Sequence, residues 1–224
     1  MAGGTLTRYG IFPVGGNTTR PGDPIGEDFS MMIVRKWMAE FLVTSLLIFP
    51  NSVSAASADV PSWKLDSGKS RIGFTGQQAG AKFEGQFSRF SAVIAFDPDH
   101  PEASRISVTV DLASAATGDP KRDAALPGSD WFDVSHFPQA KFESASVLRK
   151  EPGAYEAAGT LTLRGITRPV LLRFTIIDIK DGFAHAKGHT ELVRGDFGVG
   201  HGSWRSAQWV ALEVGVDFDI VASR

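Results

Sequence analysis

The chain has 224 residues, a formal net charge of −2 and no cysteine. The missing cysteine excludes a disulfide framework, a thiolate metal site, a cysteine nucleophile and a lipid-modified N-terminal cysteine, so the folded part must be held by its core. With little net charge and basic residues dispersed along the sequence, there is no electrostatic footprint for nucleic acid or an anionic membrane, and a small neutral or apolar ligand fits better.

Residues 1–30 are rich in Gly, Pro and Thr, show no apolar periodicity and precede Met31-Met32. They read as a disordered leader outside the translated protein, with translation beginning at Met31 or Met32. Residues 31–58 have the layout of a secretory signal: Arg35-Lys36, then the apolar run Phe41-Leu-Val-Thr-Ser-Leu-Leu-Ile-Phe49, then small residues at Val53-Ser-Ala55 and Ala56-Ser-Ala58. The apolar run is too short to span a bilayer of roughly 30 Å. A cleaved signal of this kind predicts export, and the periplasm is the expected location.

Residues 59–224 are predicted to form one all-β domain, and they are numerous enough to enclose an interior. Alternation of apolar and polar positions is the dominant pattern. It marks strands carrying Ile72 and Phe74; Phe83, Gly85 and Phe87; Ala92, Ile94 and Phe96; and Ile106, Val108, Val110 and Leu112. Further strands carry Phe142, Ser144 and Ser146; Tyr155, Ala157, Gly159, Leu161 and Leu163; Val170, Leu172, Phe174 and Ile176. A weaker one lies near residues 183–190, and a long one carries Val210, Leu212, Val214, Val216, Phe218 and Ile220. Eight or more successive strands predict an antiparallel barrel or sandwich.

One short helix is expected in the long connection: Asp119 can cap it, Pro120 suits its first position, and Pro127-Gly128 stops it. Trp131 and Phe132 follow and are placed at a barrel rim. The small residues Gly85, Ser144, Ser146, Ala157 and Gly159 fall among large apolar neighbours. They either make room for a ligand in a lumen or mark bulges and bends in the wall.

Motifs for chemistry are sparse. Gly68-Lys69-Ser70 lacks the glycine five positions earlier that a phosphate loop requires, since Trp63 stands there. No Gly-x-Ser-x-Gly elbow is present. His185 and His189 sit on a predicted strand, where four residues hold the rings about 13 Å apart, too far for one ion. Asp97-Pro-Asp99 is turn chemistry; Asp217 and Asp219 fall on the polar face of the last strand; Asp130 and Asp133 flank loop aromatics and suit backbone bonding. Arg194 and Asp196 suit pairing with each other or fixing the glycine-rich loop, and Arg164 and Arg168 bracket a turn.

Two stretches carry a family resemblance: Asp130-Trp-Phe-Asp-Val-Ser-His-Phe-Pro-Gln-Ala-Lys-Phe-Glu-Ser144 and Gly159-Thr-Leu-Thr-Leu-Arg-Gly-Ile-Thr-Arg-Pro169. Around them, in order, stand Trp63-Lys-Leu-Asp66, Phe83-Glu-Gly-Gln-Phe-Ser-Arg-Phe90, Asp111-Leu-Ala-Ser-Ala-Ala-Thr-Gly-Asp119, Arg194-Gly-Asp-Phe-Gly-Val-Gly200 and Val214-Gly-Val-Asp-Phe-Asp-Ile220. The ordered set resembles the YceI-like group of secreted, lipocalin-like bacterial proteins. The chain departs at Asp66-Ser-Gly-Lys-Ser70 and at Gln77-Gln78, where histidines are common in the family. That variant opening resembles a subgroup associated with quinol-oxidising membrane cytochromes of the b type.

The resemblance implies a lipocalin-like antiparallel β-barrel that holds an isoprenoid lipid, polyprenyl or quinone in type, and performs no catalysis. No metal or other cofactor is expected beside that ligand. By alternation, Phe74, Phe83, Phe87, Phe96, Val108, Phe142, Leu161, Leu163, Leu172, Phe174, Val214 and Phe218 face the lumen and bind the lipid, while Trp131, Phe132, Phe197 and Trp204 shield its head group at the mouth. The alternative is a filled barrel serving as an interaction module for a membrane b-type cytochrome or another periplasmic partner. Nucleic acid is not an expected partner, and the oligomeric state, a homodimer included, is left open.

Overall fold

The computed structural model describes residues 59–224, so the expectations for residues 1–30 and 31–58 lie outside the described residues. The strands, in chain order, are β1 (Ser62–Leu65), β2 (Arg71–Gln78), β3 (Ala81–Phe87), β4 (Phe90–Ala95), β5 (Arg105–Asp111), β6 (Ala115–Ala116), β7 (Gln139–Glu151), β8 (Ala154–Leu163), β9 (Ile166–Lys180), β10 (Phe183–Val193) and β11 (Glu213–Ser223). Among the described residues a single α-helix, α1 (Pro120–Ala125), lies between β6 and β7.

Register reduces these segments to eight walls. β1 and β2 are two halves of one wall strand, pairing in turn with the two ends of β11: Lys64 with Ser223, and Arg71 to Thr75 with Asp219 to Gly215. β3 and β4 are likewise one strand bent at Ser88 and Arg89, and β5 and β6 one strand interrupted by the 3-10 turn Leu112–Ser114. Every wall pairs antiparallel with its neighbours in sequence, and β11 returns to β1 and β2, closing the sheet. Closure leaves no free edge strand, which removes the usual template for aggregation.

Bulges shape the wall. Ala145 is an extra residue in β7 opposite Ser144 paired with Gly159 and Ser146 paired with Ala158. It shifts the phase of the alternation, so Val147, not Ser146, pairs inward with Ala157, and both are fully buried. Ser144 serves the ladder at this point, its hydroxyl accepting from Ile106 N at 2.8 Å. The expected common face for Phe142, Ser144 and Ser146 is corrected by this extra residue, because a period of two cannot survive a bulge.

The last strand is shorter than the alternation predicts. Val210 makes only an isolated bridge with Gln78, and Ala211 N donates to Gln77 O at 2.9 Å. Residues 209–212 therefore cross the end of β2 before β11 starts at Glu213. The strand near residues 183–190, conversely, is a full one reaching Val193, paired along its length with β11. Helix α1 begins as its residues dictate: Asp119 accepts from Lys121 N at 2.9 Å and Arg122 N at 3.0 Å, with Pro120 in the first turn.

The long connections, residues 117–138 and 194–212, are on one side of the barrel, where β6, β7, β10 and β11 end or begin. The opposite end has shorter turns and an aromatic plug. There Trp63 Nε1 donates to Phe96 O at 2.9 Å, and Phe96, Tyr155 and Phe174 pack with ring centroids 5.2 to 5.9 Å apart.

Candidate functional site: an apolar lumen in two compartments

Alternation along eight closed walls sends one face of every strand inward, and those inward residues surround an open lumen. The first compartment, toward the aromatic plug, has a volume of about 190 Å³. Its lining includes Phe96, Val108, Phe142, Leu172, Phe174 and Phe218, and its one polar residue is Thr190, whose hydroxyl donates to Leu171 O at 3.0 Å. The second compartment, under the long connections, has a volume of about 170 Å³ and is lined by Phe74, Phe83, Phe87, Trp131, Phe132, Leu163, Phe197 and Val214 among others. Ile72, Val110, Leu161, Leu192 and Val216 line both and form a waist between them. An apolar cavity of this kind cannot hydrogen-bond water and favours an apolar occupant.

Every residue assigned to the lumen from the sequence lines one compartment or the other, and so do Trp131, Phe132 and Phe197 of the four aromatics placed at the mouth. Trp204, the fourth, stands at the rim outside both compartments, packed at a tilt on Trp131 with ring centroids 5.6 Å apart, and lines a separate dent with Gln78, Ala79, Ser203 and Trp209. Several lining residues, among them Trp63, Leu126 and Val199, lie in loops, short strands or turns that alternation does not reach.

Small residues in the wall turn out to be seats for aromatic rings. A Cβ on Gly76 would stand 2.6 Å from Cζ of Phe83, its registered partner across the strands. Gly85 lies under Phe74 in the same way, and Gly188 under Phe218. Gly159 meets the Phe142 ring and the β7 backbone. Of the small residues singled out in the sequence, Ala157 alone lines the cavity; Gly85 and Gly159 are filled by rings, and Ser144 and Ser146 flank the bulge. Rings laid flat on glycine take their space from the wall, and the lumen stays open.

Arg194 is the one charged lining residue, 4% exposed, and no carboxylate meets its guanidinium in an ion pair. Its Nε donates to Ala211 O at 2.9 Å, Nη1 to Val199 O at 2.8 Å, and Nη2 to Trp204 O at 2.6 Å and Val210 O at 2.9 Å. It therefore ties four points of the loop that ends the second compartment. Burial pulls its pKa below the ordinary guanidinium value, and the surrounding carbonyl dipoles hold the charge in place. Pairing between Arg194 and Asp196 is not formed; the loop-fixing role is. Arg164 likewise ties the connection after α1, with Nη1 on Ser129 O at 2.7 Å and on Trp131 O.

The other candidate groups hold structure on the outside. His185 Nε2 meets Asp219 at 2.6 Å and His189 Nδ1 meets Asp217 at 2.8 Å, so each histidine pairs with a carboxylate of β11. Among the described residues, no group of three or more metal-ligating side chains converges. Asp99 N donates to Asp97 Oδ1 at 2.8 Å, closing a turn.

A sheet of eight antiparallel walls closed around an apolar lumen defines a lipocalin-like binding barrel. Residues 63–222 match the YceI-like domain, and the chain belongs to that family. A UPF0312 protein of Photorhabdus laumondii is 36% identical over 123 residues, an alignment that spans 54% of this chain and 64% of that protein. Protein YceI of Salmonella arizonae is 33% identical over 142 residues, 62% of this chain and 71% of that protein. Among solved structures, BcnA of Burkholderia cenocepacia is 31% identical with a TM-score of 0.69, covering 71% of this chain and all of its own. A polyisoprenoid binding domain from Saccharophagus degradans shares the fold at 14% identity, with a TM-score of 0.57 over 72% of this chain and 97% of that domain.

Proposed function

We propose that this protein is a periplasmic, non-catalytic carrier that holds an isoprenoid lipid, polyprenyl or quinone in type, within its barrel. The observation that carries the reading is the lumen: two adjoining compartments that share five wall residues and present apolar surface throughout. The first compartment suits a tail. The second, ended by the loop that Arg194 ties, suits the end of the ligand that carries its head, shielded by Trp131, Phe132 and Phe197. A polyisoprenoid binding domain with the same fold supports the ligand class.

Energetics agree. A tail burying several hundred Å² would gain roughly 10 kcal/mol gross at about 25 cal/mol/Å². Ordering the chain and immobilising the ligand offset several kcal/mol of this, which leaves room for submicromolar binding without any reacting group. The rival reading, an interaction module for a membrane b-type cytochrome, calls for a filled barrel, and the volume of the lumen favours the carrier.

Native mass spectrometry of protein purified without detergent, followed by organic extraction, tests the proposal. A stoichiometric ligand with an isoprenoid tail is expected. An empty barrel that also takes up neither a long-chain ubiquinone nor a polyprenol would overturn it.

A further inference from the structure

Two connections meet outside the second compartment: the turn between β2 and β3, and the loop between β10 and β11. Their backbones are joined, Ala79 N donating to Trp209 O at 2.8 Å and Ala211 N to Gln77 O at 2.9 Å. On their outer side Gln78, Ala79, Ser203, Trp204 and Trp209 line a shallow dent of about 220 Å³. A single layer separates this dent from the lumen. Val210, bridged to Gln78, lines the second compartment, and so does Trp131, against which Trp204 packs at a tilt.

The face has the chemistry of a lipid interface. Trp209 is 54% exposed, an indole left in water beside a polar backbone, and tryptophan of this kind is most stable at a headgroup boundary. Although basic residues are dispersed over the chain as a whole, the outer loop is locally cationic. Residues 197–212 include Arg205 and His201 and no carboxylate, and Lys82 stands on the neighbouring strand with Glu84 two residues further along it. The other acids nearest in the chain are Asp196 and Glu213 at the two ends of the loop, and Asp130 where its carbonyl accepts from Gly200 N and His201 N. Arg122, bonded to Gln78 Oε1 at 2.7 Å and lying 4.2 Å from the Phe83 ring centroid, stands behind the turn with its charge met by Asp119 at 4.0 Å.

We propose that this face docks on the surface of an anionic lipid bilayer, with Trp209 seated among the headgroups and Arg205 and Lys82 against lipid phosphates. The dent then lies between the bilayer and the second compartment, and the apolar ligand passes there. The passage rests on the carrier reading; the docking does not. Exposed cations near such a surface act together and are screened by salt, while the indole contributes apolar contact that salt leaves in place.

The test uses protein from cells expressing the full chain, so that every variant carries the same N-terminal segment. Partition onto vesicles of phosphatidylcholine with about a quarter phosphatidylglycerol is followed by sedimentation and tryptophan emission. The wild type is expected to sediment with these vesicles, more weakly at high salt, with blue-shifted emission. Arg205→Gln combined with Lys82→Gln is expected to weaken partition roughly tenfold, and Trp209→Ala to reduce both partition and the blue shift. Equal partition of wild type and Trp209→Ala, or none by the wild type, overturns the docking face. Uptake of a long-chain ubiquinone separates the two readings. Trp209→Ala should slow uptake from vesicles and leave equilibrium uptake from an ethanol stock unchanged. Failure of both kinds of uptake in the wild type removes the carrier reading and leaves the docking result to stand by itself; equal rates from vesicles remove the passage through the dent.

Discussion

The ring of Phe83 lies over Gly76, its partner across the β2 and β3 ladder, with Cζ 2.6 Å from where a Cβ on Gly76 would stand. The same ring receives Arg122 at 4.2 Å from its centroid. An aromatic side chain that would otherwise project into the second compartment is thus held against the wall, on a residue with no side chain to resist it. The contact links a sequence feature, glycine in mid-strand, to the open volume that makes the barrel a binding protein.

Gly76→Ala should therefore destabilise the fold by about 1 to 3 kcal/mol, the usual range for adding a methyl group to a packed site. The displaced Phe83 ring should also reduce ligand capacity. Thermal unfolding and ligand stoichiometry measured on the same sample check both parts. Unchanged melting with unchanged capacity would show that the ring has somewhere else to go.

Arg194→Met should loosen the loop more than the barrel. The substitution strands the carbonyls of Val199, Trp204, Val210 and Ala211, which now accept from the guanidinium, at a cost of about 1 to 3 kcal/mol for each buried group that water cannot reach. Amide exchange is expected to rise across residues 198–212 while β7 to β9 stay protected. Arg194→Lys should recover only part of the loss, because an ammonium has three donors on a point and no fork.

The barrel was legible in the sequence because a period of two over strands such as residues 214–220 has one physical meaning when one face is dry. What alternation cannot show is register between strands. Gly85 therefore reads equally well as room for a ligand or as a bend, and only the pairing of Gly85 with Phe74 decides that it is a seat for a ring. Ala145 was hidden for the same reason: a bulge is a mismatch between two strands, invisible in either alone. Arg194 stood out in its motif, yet its partners are main-chain carbonyls, which have no signature in residue types. Trp131 and Trp204 read alike as mouth aromatics, because nothing local shows which of the two forms the inner layer.

Stability should be lost on the acid side. Asp123 is held below the ordinary carboxylate value of 3.8 chiefly by the Thr117 hydroxyl and then by Thr117 N. Asp111 is lowered by Arg89, and Asp133 by His136. A carboxyl whose folded pKa lies below its unfolded one stabilises the fold above the unfolded value, and that contribution disappears as pH falls through the folded value. Melting temperature is thus expected to hold at mildly acidic pH and to fall below about 3.8. Since Thr117 and Asp123 anchor the connection that carries α1, Asp123→Asn should flatten part of that acid limb.

A charge in the lumen should abolish uptake. Phe83 and Leu163 both line the second compartment, so Phe83→Asp and Leu163→Asp each place a carboxylate in an apolar wall; Arg122 stands by Phe83, which makes Leu163→Asp the harsher change, since the site must hydrate or neutralise its charge. Equilibrium binding of a long-chain ubiquinone is the readout, with circular dichroism establishing that the variant is folded. A folded variant with full affinity would remove that position from the ligand path.

Leu161 offers the sharpest test of how the two compartments are used, because it belongs to the waist that lines both. Leu161→Trp adds volume in the wall shared by the two compartments without adding charge. If one ligand threads both compartments, the variant should lose long-chain ubiquinone while keeping a short-chain analogue that fits in the second compartment alone. If the compartments bind separately, both ligands should be kept. Overpacking is expected to lower stability by about 1 to 3 kcal/mol in either case, so the ratio of the two affinities, rather than either one, carries the answer. A ratio shifted at least tenfold toward the short ligand, equivalent to about 1.4 kcal/mol, would establish a single continuous site.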